Sequence, residues 1–206
     1  MRSPLLAFST LLVAALPVKA SLPAPDALAG PSAVFSAATL NSILGDRDCV
    51  GVRFYNVMLD RSQTEPTIMA VGYQADGSDL NGGLFAHPYK VCAPIERVPA
   101  NVTELTRNAA AEACGNVAAS GAASYSTTLS KADMQALLAL PGCGGVRVIL
   151  AEGTTDRLLL VAVSIADGVA TDLGRGSDYE RSCGDPCPMA CGPPANYINA
   201  DHLQLK

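Results

Sequence analysis

One element of this chain occurs twice, and no other feature constrains the fold as strongly. The stretch Cys49-Val50-Gly51-Val52-Arg53-Phe54-Tyr55 returns ninety-four positions later as Cys143-Gly144-Gly145-Val146-Arg147-Val148-Ile149. Each copy follows a short helical pattern and leads into an alternating strand pattern. The sequence therefore predicts a duplicated unit, in which one order of elements is used twice.

The helix before each copy carries one apolar stripe. Ser36 and Ser130 precede the two helical patterns. Serine is a preferred N-cap, because its hydroxyl accepts a hydrogen bond from a backbone N–H group that has no partner inside the helix. The apolar residues behind these caps occupy positions i, i+3 and i+4 at the same offset: Leu40, Ile43 and Leu44 in the first helix, and Met134, Leu137 and Leu138 in the second.

A hairpin is predicted to follow each helix. Residues 52–55 and 146–149 are the outgoing strands, and residues 67–73 and 158–163 are the returning ones. Residues 158–163 are apolar on both faces, which is typical of a central strand covered above and below. We therefore predict an α+β fold, in which two tandem helix-strand-strand repeats form an antiparallel sheet with the helices packed on it, stapled by disulfides.

The rest of the chain is arranged around these repeats. Residues 102–113 predict an alanine-rich helix between them, stopped at Gly115. The predicted boundaries are, in chain order, a signal peptide at 1–20, a proline-rich leader at 21–32, repeat one at 33–94, a linker with the alanine-rich helix at 95–122, repeat two with a Cys- and Pro-rich tail at 123–195, and a C-terminal segment at 196–206.

The N-terminal segment predicts export. Arg2 supplies a positive charge before an apolar run at 5–16, and Val18 and Ala20 are small residues at the −3 and −1 positions of a cleavage site. The apolar run is shorter than the about 20 residues that span a bilayer as a helix. We expect a secreted or periplasmic protein that starts at Ser21 and has no stable membrane insertion after signal cleavage.

The negative charge of the mature chain limits the classes of partner that it can attract. Signal cleavage removes Arg2 and Lys19 and no acid, so that the 14 basic residues become 12 against 19 acidic ones, a formal charge of −7. Nucleic acids and anionic membranes attract basic surfaces. The sequence therefore predicts no nucleic-acid partner and leaves a protein or a ligand of the cell envelope, whose identity it does not disclose.

Seven cysteines in an exported chain indicate disulfides, which persist in oxidising compartments. The repeat suggests a pair of Cys49 with Cys92 and a pair of Cys143 with Cys183 or Cys187, and it leaves Cys114 as the candidate for the odd thiol. The disulfide candidates are Cys49, Cys92, Cys143, Cys183, Cys187 and Cys191. Zinc binding by the tail is the alternative, although structural zinc sites usually take four ligands.

Arg53 and Arg147 are the most specific polar feature of the repeat. If both guanidinium groups lie on one sheet face, they can bind a carboxylate or a phosphate in a bidentate manner. The competing interpretation, which we favour, is that each arginine binds a nearby aspartate or carbonyl group and thereby stabilises the repeat. The recurrence of each arginine at the same framework position supports the structural role.

The pattern resembles a group of small exported bacterial proteins that have no assigned function. Their signature is a helix ending in a Pro-Gly-Cys-like turn, a Gly-Val-Arg strand, an Asp-Gly turn, Asp-Leu and a Cys-Pro tail. The second copy carries Leu140-Pro141-Gly142-Cys143, Gly145-Val146-Arg147, Asp167-Gly168, Asp172-Leu173 and Cys187-Pro188. In that signature two residues separate the cysteines of the tail. This chain departs from it, because three residues separate Cys187 from Cys191. The resemblance implies a fold and no activity.

The sequence favours a non-enzymatic binding or structural module. It contains no nucleophile elbow, no zinc-protease motif and no phosphate-binding loop, and we assign no catalytic, cofactor-binding or metal-binding residues. Its two histidines, His87 and His202, are predicted in loops. The alternatives are an extracytoplasmic hydrolase with an unrecognised site, and a metal-binding protein that uses the C-terminal cysteines.

Overall fold

The computed structural model describes residues 32–64, 66–80, 89–92, 103–121, 126–151, 157–174, 176 and 178–182. The predicted signal peptide, nearly all of the leader, and the Cys-rich tail from residue 183 onward lie outside these residues. The strands are β1 Ser32–Ser36, β2 Gly51–Val57, β3 Thr67–Tyr73, β4 Tyr89–Cys92, β5 Thr103–Leu105, β6 Ser126–Ser130, β7 Gly145–Ala151, β8 Arg157–Ala166, β9 Val169–Asp172 and β10 Glu180–Ser182, and the helices are α1 Ala37–Leu44, α2 Arg107–Ala119 and α3 Lys131–Leu138.

These strands form two antiparallel sheets. Sheet A has the order β1-β7-β8-β10, with β9 also paired to β8, and sheet B has the order β5-β4-β3-β2-β6. The mixed α+β class and the antiparallel pairing agree with the prediction. The sequence left open whether the two hairpins share one sheet, and in the structure they stand in different sheets.

Both predicted hairpins are present. The β2–β3 pair runs from Gly51 opposite Tyr73 to Val57 opposite Thr67, and the β7–β8 pair runs from Gly145 opposite Val163 to Ala151 opposite Arg157. Strand β8 is central, as predicted, since it pairs with β7 on one edge and with β9 and β10 on the other. Its residues 160–163 are fully buried, with side chains on both faces.

Strands β1 and β6 were not predicted. Each is five residues long and runs directly into the N-cap of a helix. The apolar run Ala33-Val34-Phe35 and the β-branched pair Thr127-Thr128 before Leu129 were the signals that could have revealed them. We missed them because no turn residues separate either strand from its helix.

The main hydrophobic core lies between the two sheets. It combines Val52 and Phe54 of sheet B with Val146 and Val148 of sheet A. Helices α1 and α3 complete it, with Leu40, Leu44, Met134 and Leu137 as their buried side chains. Because side chains alternate along a strand, Arg53 and Arg147 must point away from this core, each on the outer face of its own sheet.

The caps of α1 and α3 follow the predicted pattern. Ser36 Oγ accepts a hydrogen bond from the Thr39 amide at 3.1 Å, and Ser130 Oγ accepts one from the Asp133 amide at 3.1 Å. The Ser130 hydroxyl also donates to the Asp133 carboxylate at 2.6 Å. These bonds satisfy backbone donors of the first helical turn and set where each strand ends and its helix begins.

Helix α2 begins and ends later than predicted. Its N-cap is Thr106, whose hydroxyl accepts from the Ala109 amide, and it continues through Gly115 to Ala119. Gly115 is solvent-exposed, and a methyl group added to it would meet no atom within 4 Å. The helix tolerates this glycine because its buried face makes the packing contacts. None of the helices in the described ranges is long and apolar enough to cross a membrane.

Helix α2 covers the outer face of sheet B. Ala110, Ala113 and Cys114 pack against Tyr55 and Met69 in a second core cluster. The Met58 amide donates to the Ala113 carbonyl at 3.0 Å. At the end of the helix, the buried Asn116 side-chain amide donates to the Met58 carbonyl, also at 3.0 Å.

The glycines that open β2 and β7 permit close strand packing. A Cβ on Gly51 would stand 2.3 Å from the Leu129 carbonyl oxygen, and one on Gly145 would stand 2.4 Å from the Phe35 carbonyl oxygen. Both distances are far below van der Waals contact, and backbone cannot rotate away as a side chain does. Glycine is therefore required where β2 meets β6 and where β7 meets β1.

We predict that Gly145→Ala destabilises the protein by about 1–3 kcal/mol, the usual cost of overpacking. The matched control is Gly115→Ala, which should stabilise it by about 0.5–1 kcal/mol, because alanine is the better helix former and the site is open. Denaturant unfolding of both variants measures the difference. Equal effects of the two substitutions would contradict the close approach at Gly145.

Candidate functional site

A tight turn after β3 returns the chain to Arg53. The Gln74 amide donates to the Ser78 carbonyl at 2.8 Å, and Gly77 adopts a left-handed φ of 82°. The turn places Asp79 opposite Tyr73 in an antiparallel bridge. Asp79 thereby lies over the outer face of sheet B, beside the strand that carries Arg53.

Arg53, Tyr55 and Asp79 form one buried polar cluster. Arg53 Nη1 donates to Asp79 Oδ1 at 2.6 Å, and the Tyr55 hydroxyl donates to Asp79 Oδ2 at 2.6 Å. Arg53 Nη2 donates to the Gly77 carbonyl at 2.8 Å, and the guanidinium carbon stands 5.4 Å from the centre of the Tyr73 ring. The arginine and aspartate side chains are only 7% and 0% exposed.

Burial controls the electrostatics of this cluster. Loss of solvent raises the pKa of Tyr55 well above its ordinary value, and the Asp79 carboxylate raises it further, so the phenol stays protonated and donates to Asp79. Burial by itself would lower the pKa of Arg53, but the Asp79 carboxylate and the hydrogen bonds to Asp79 and Tyr55 outweigh it, so that the pKa rises. The cluster therefore holds a charged arginine and a neutral tyrosine.

Arg147 makes the corresponding contacts in sheet A. Its Nε donates to Asp172 Oδ1 at 3.0 Å, and its Nη2 donates to the Ala170 carbonyl at 3.1 Å. Asp172 returns through the Asp167-Gly168 hairpin, where both residues have positive φ of 50° and 74°, as a two-residue type I′ turn requires. This pair is more open, with 18% and 27% of the two side chains exposed.

The two arginines are not brought together. Arg53 lies on β2 in sheet B and Arg147 on β7 in sheet A, and both point away from the core between the sheets. The two guanidinium groups therefore do not share one sheet face, because they stand on different sheets, and anion binding by either arginine stays a prediction. Each arginine instead binds an aspartate and a carbonyl group, as the competing interpretation predicts.

The cysteines depart from the predicted framework. Cys49, Cys114 and Cys143 are free thiols, and no disulfide joins residues within the described ranges. Cys114 agrees with our candidate for an unpaired thiol. It lies on the buried face of α2, and burial raises its pKa strongly above the ordinary thiol value. Burial raises the pKa of Cys49 and Cys143 as well, which keeps both thiols protonated.

The suggested pair of Cys49 with Cys92 is not formed. Cys49 Sγ lies beside Gly72, 3.2 Å from where a Cβ on that residue would stand, whereas Cys92 pairs with Ile68 on the other edge of β3. Four residues along a strand span about 13 Å, and a disulfide needs Cα atoms within about 7 Å. Cys183 and Cys187, the suggested partners of Cys143, lie outside the described residues. Cys191, the third cysteine of the tail, lies outside them as well.

The turn aspartates bind backbone amides, as expected for residues of their type. Asp46 Oδ1 accepts from the Asp48 amide at 3.0 Å, and Asp76 Oδ1 accepts from the Ser78 amide at 2.8 Å. Across the described ranges, no three His, Cys, Asp or Glu side chains are grouped to hold a metal ion. His87 and His202 lie outside those ranges.

Sequence reasoning missed the aromatic part of the Arg53 cluster. Tyr55 lies two residues from Arg53 and therefore on the same strand face, but the bond from its hydroxyl to Asp79 and the Tyr73 ring beside Arg53 were not foreseen. Ile149 stands where the first copy has Tyr55, and Val163 pairs with Gly145 as Tyr73 pairs with Gly51. This difference between the copies was the available signal that their arginines have unequal surroundings.

Comparison with known proteins adds no relative to this geometry. No protein-family model matches the chain, and no match is found among curated proteins or solved structures. The functional assignment therefore depends on the contacts described above.

We predict that Arg53→Met destabilises the protein by about 3–5 kcal/mol, because it leaves Asp79 charged and buried without its partner. Arg147→Met should cost no more than about 1 kcal/mol, since that pair is partly hydrated. Denaturant unfolding measures both. The double variant Arg53→Met with Asp79→Leu should regain most of the loss, and failure to regain it would show that the methionine itself does not fit.

Stability should fall as the pH rises above about 9. Folding raises the pKa of Cys114 and Tyr55, so the unfolded chain ionises first, near the ordinary values of 9.0 and 10.0. The stabilisation is complete below those values and is lost above them, by up to about 1.4 kcal/mol per pH unit for each group. Unfolding between pH 7 and 11 measures the slope, and Cys114→Ala and Tyr55→Phe should each reduce it. An unchanged slope in both variants would assign the loss to other groups.

Proposed function

We propose that this chain is an exported, non-enzymatic binding or structural module built from two copies of one α+β unit. The observation that carries the proposal is that the most specific polar residues of both copies are engaged inside the protein. Arg53 and Arg147 each tie the first strand of a hairpin to the segment of chain that follows its second strand. Such bonds stabilise a framework and leave the functional surface to be supplied by other residues.

Matching contacts at the same offset support a duplicated unit. Cys49 Sγ donates to the Gly51 carbonyl at 3.1 Å, and Cys143 Sγ donates to the Gly145 carbonyl at 3.2 Å. Ser36 and Ser130 cap equivalent helices. Bonds repeated down to single atoms are what two copies of one ancestral element would retain.

The proposed compartment follows from the signal-like residues 1–20 and from the acidic mature chain. Resemblance to small exported bacterial proteins points the same way. With three thiols free, we restrict the proposed disulfide staples to the four remaining cysteines, Cys92, Cys183, Cys187 and Cys191. Their partner is proposed as a protein or another ligand of the cell envelope.

Binding can be tested with the chain from Ser21 onward, immobilised and exposed to solubilised cell-envelope and culture-medium fractions of its own source. We expect the immobilised, folded protein to retain a component of these fractions. Added free protein should compete for that component and reduce its retention. The matched control is the same chain after denaturation and capping of its thiols, which should retain nothing specific. Retention of nothing by the folded protein, together with turnover of an ester, peptide or glycan substrate, would replace the proposal with a hydrolase.

We predict three reactive thiols in the mature protein, from intact mass after denaturation and alkylation without reductant. Three free thiols out of seven cysteines leave four, enough for two disulfides. One alkylated thiol would mean that Cys49 and Cys143 are bonded after all. Seven alkylated thiols, with zinc released on denaturation, would support metal binding by the C-terminal cysteines instead.

A further inference from the structure

The strand that precedes each helix pairs with the hairpin of the other half of the chain. Strand β1 precedes α1 and β2, yet it pairs with β7, from Ser32 opposite Ile149 to Ser36 opposite Gly145. Strand β6 precedes α3 and β7, yet it pairs with β2, from Ser126 opposite Tyr55 to Ser130 opposite Gly51. We call β1 to α2 the N-terminal half and β6 to β10 the C-terminal half. Each half therefore lends its first strand to the sheet of the other half.

The two crossings have the same geometry. The Ala37 amide donates to the Gly144 carbonyl at 2.8 Å, and the Lys131 amide donates to the Val50 carbonyl, also at 2.8 Å. At each crossing a helix that has just started is bonded to the residue before a strand of the other half. A contact in which both partners present the same surface is the type that joins two copies in a symmetric dimer.

Neither half completes its own sheet or core. In the N-terminal half, Ala33, Val34 and Phe35 of β1 are 0% exposed, and β1 finds its sheet in the C-terminal half. In the C-terminal half, Leu129 of β6 is only 6% exposed, and β6 pairs with β2 in the sheet of the N-terminal half. Residues 120–125 link α2 to β6. The covalent link between the halves makes none of the hydrogen bonds that pair β1 with β7 and β6 with β2. A half from another molecule therefore offers the same backbone donors and acceptors.

We propose that a second copy of this chain can supply either half, giving a strand-exchanged dimer held by the β1–β7 and β2–β6 pairs. The intact chain closes on itself, because its linked halves see each other at an effective concentration on the order of millimolar. Exchange between molecules takes over when a chain cannot use one of its own halves. The partner class is therefore this protein itself, or a chain that carries the same helix-and-strand unit.

The test uses two full-length variants, each with one disabled half and its own affinity tag. Phe35→Asp disables the N-terminal half by placing a charge at a fully buried core position, and Val148→Asp does the same to the C-terminal half. Expressed alone, each variant should lose its folded fraction. Expressed together, they should be recovered through both tags as a one-to-one dimer, in which the intact half of one chain completes the intact half of the other.

Two differently tagged copies of Phe35→Asp serve as the matched control, since they contain no intact N-terminal half between them and should yield no dimer. Recovery of nothing from the mixed pair, or equal recovery from the control, would overturn the proposal. A second measurement leaves the core residues of both halves unchanged. With a protease site inserted between Gly121 and Ala122, the cleaved protein should elute as one folded particle containing both fragments; separation of the fragments under native conditions would also overturn it.

Discussion

Backbone hydrogen bonding between the two halves of the chain is the interaction on which the rest of this structure depends. Strand β1 can satisfy its peptide groups on β7, and β6 on β2, only if the helices that follow turn at once into the space between the sheets. This requirement sets the capping serines at the strand ends and the glycines where β2 and β7 begin. It also joins both sheets through one core, so neither hairpin is an independent lobe.

The outer faces of the two sheets differ in how far solvent reaches their arginine. On sheet B, α2 excludes water from the arginine face, and a buried arginine needs full compensation, which Asp79, Tyr55 and the Gly77 carbonyl provide. On sheet A, the corresponding pair of Arg147 and Asp172 keeps contact with solvent. One framework bond is thus used in a dry and in a hydrated setting.

Local signals predicted the parts of the fold that local chemistry controls. The helix caps, the β2–β3 and β7–β8 hairpins, the central position of β8 and the arginine–aspartate contacts all follow from residue types a few positions apart or from one repeated pattern. The errors have two origins. Helix α2 was placed too early because the capping residue Thr106 was overlooked in favour of the alanine-rich pattern, and Cys49 and Cys92 were paired although sheet register, which no local signal reports, holds them apart.

The sequence by itself determined the α+β class, the order of helix and hairpin in each half, and the residues that tie strands to turns, because helix periodicity, strand alternation and capping are properties of short stretches. Only the tertiary structure decided that there are two sheets, that their first strands are exchanged, and that the two arginines face opposite sides. The physical reason is that β1 offers the same backbone donors and acceptors to β2 as to β7. Which neighbour it joins depends on the core that both halves bury together.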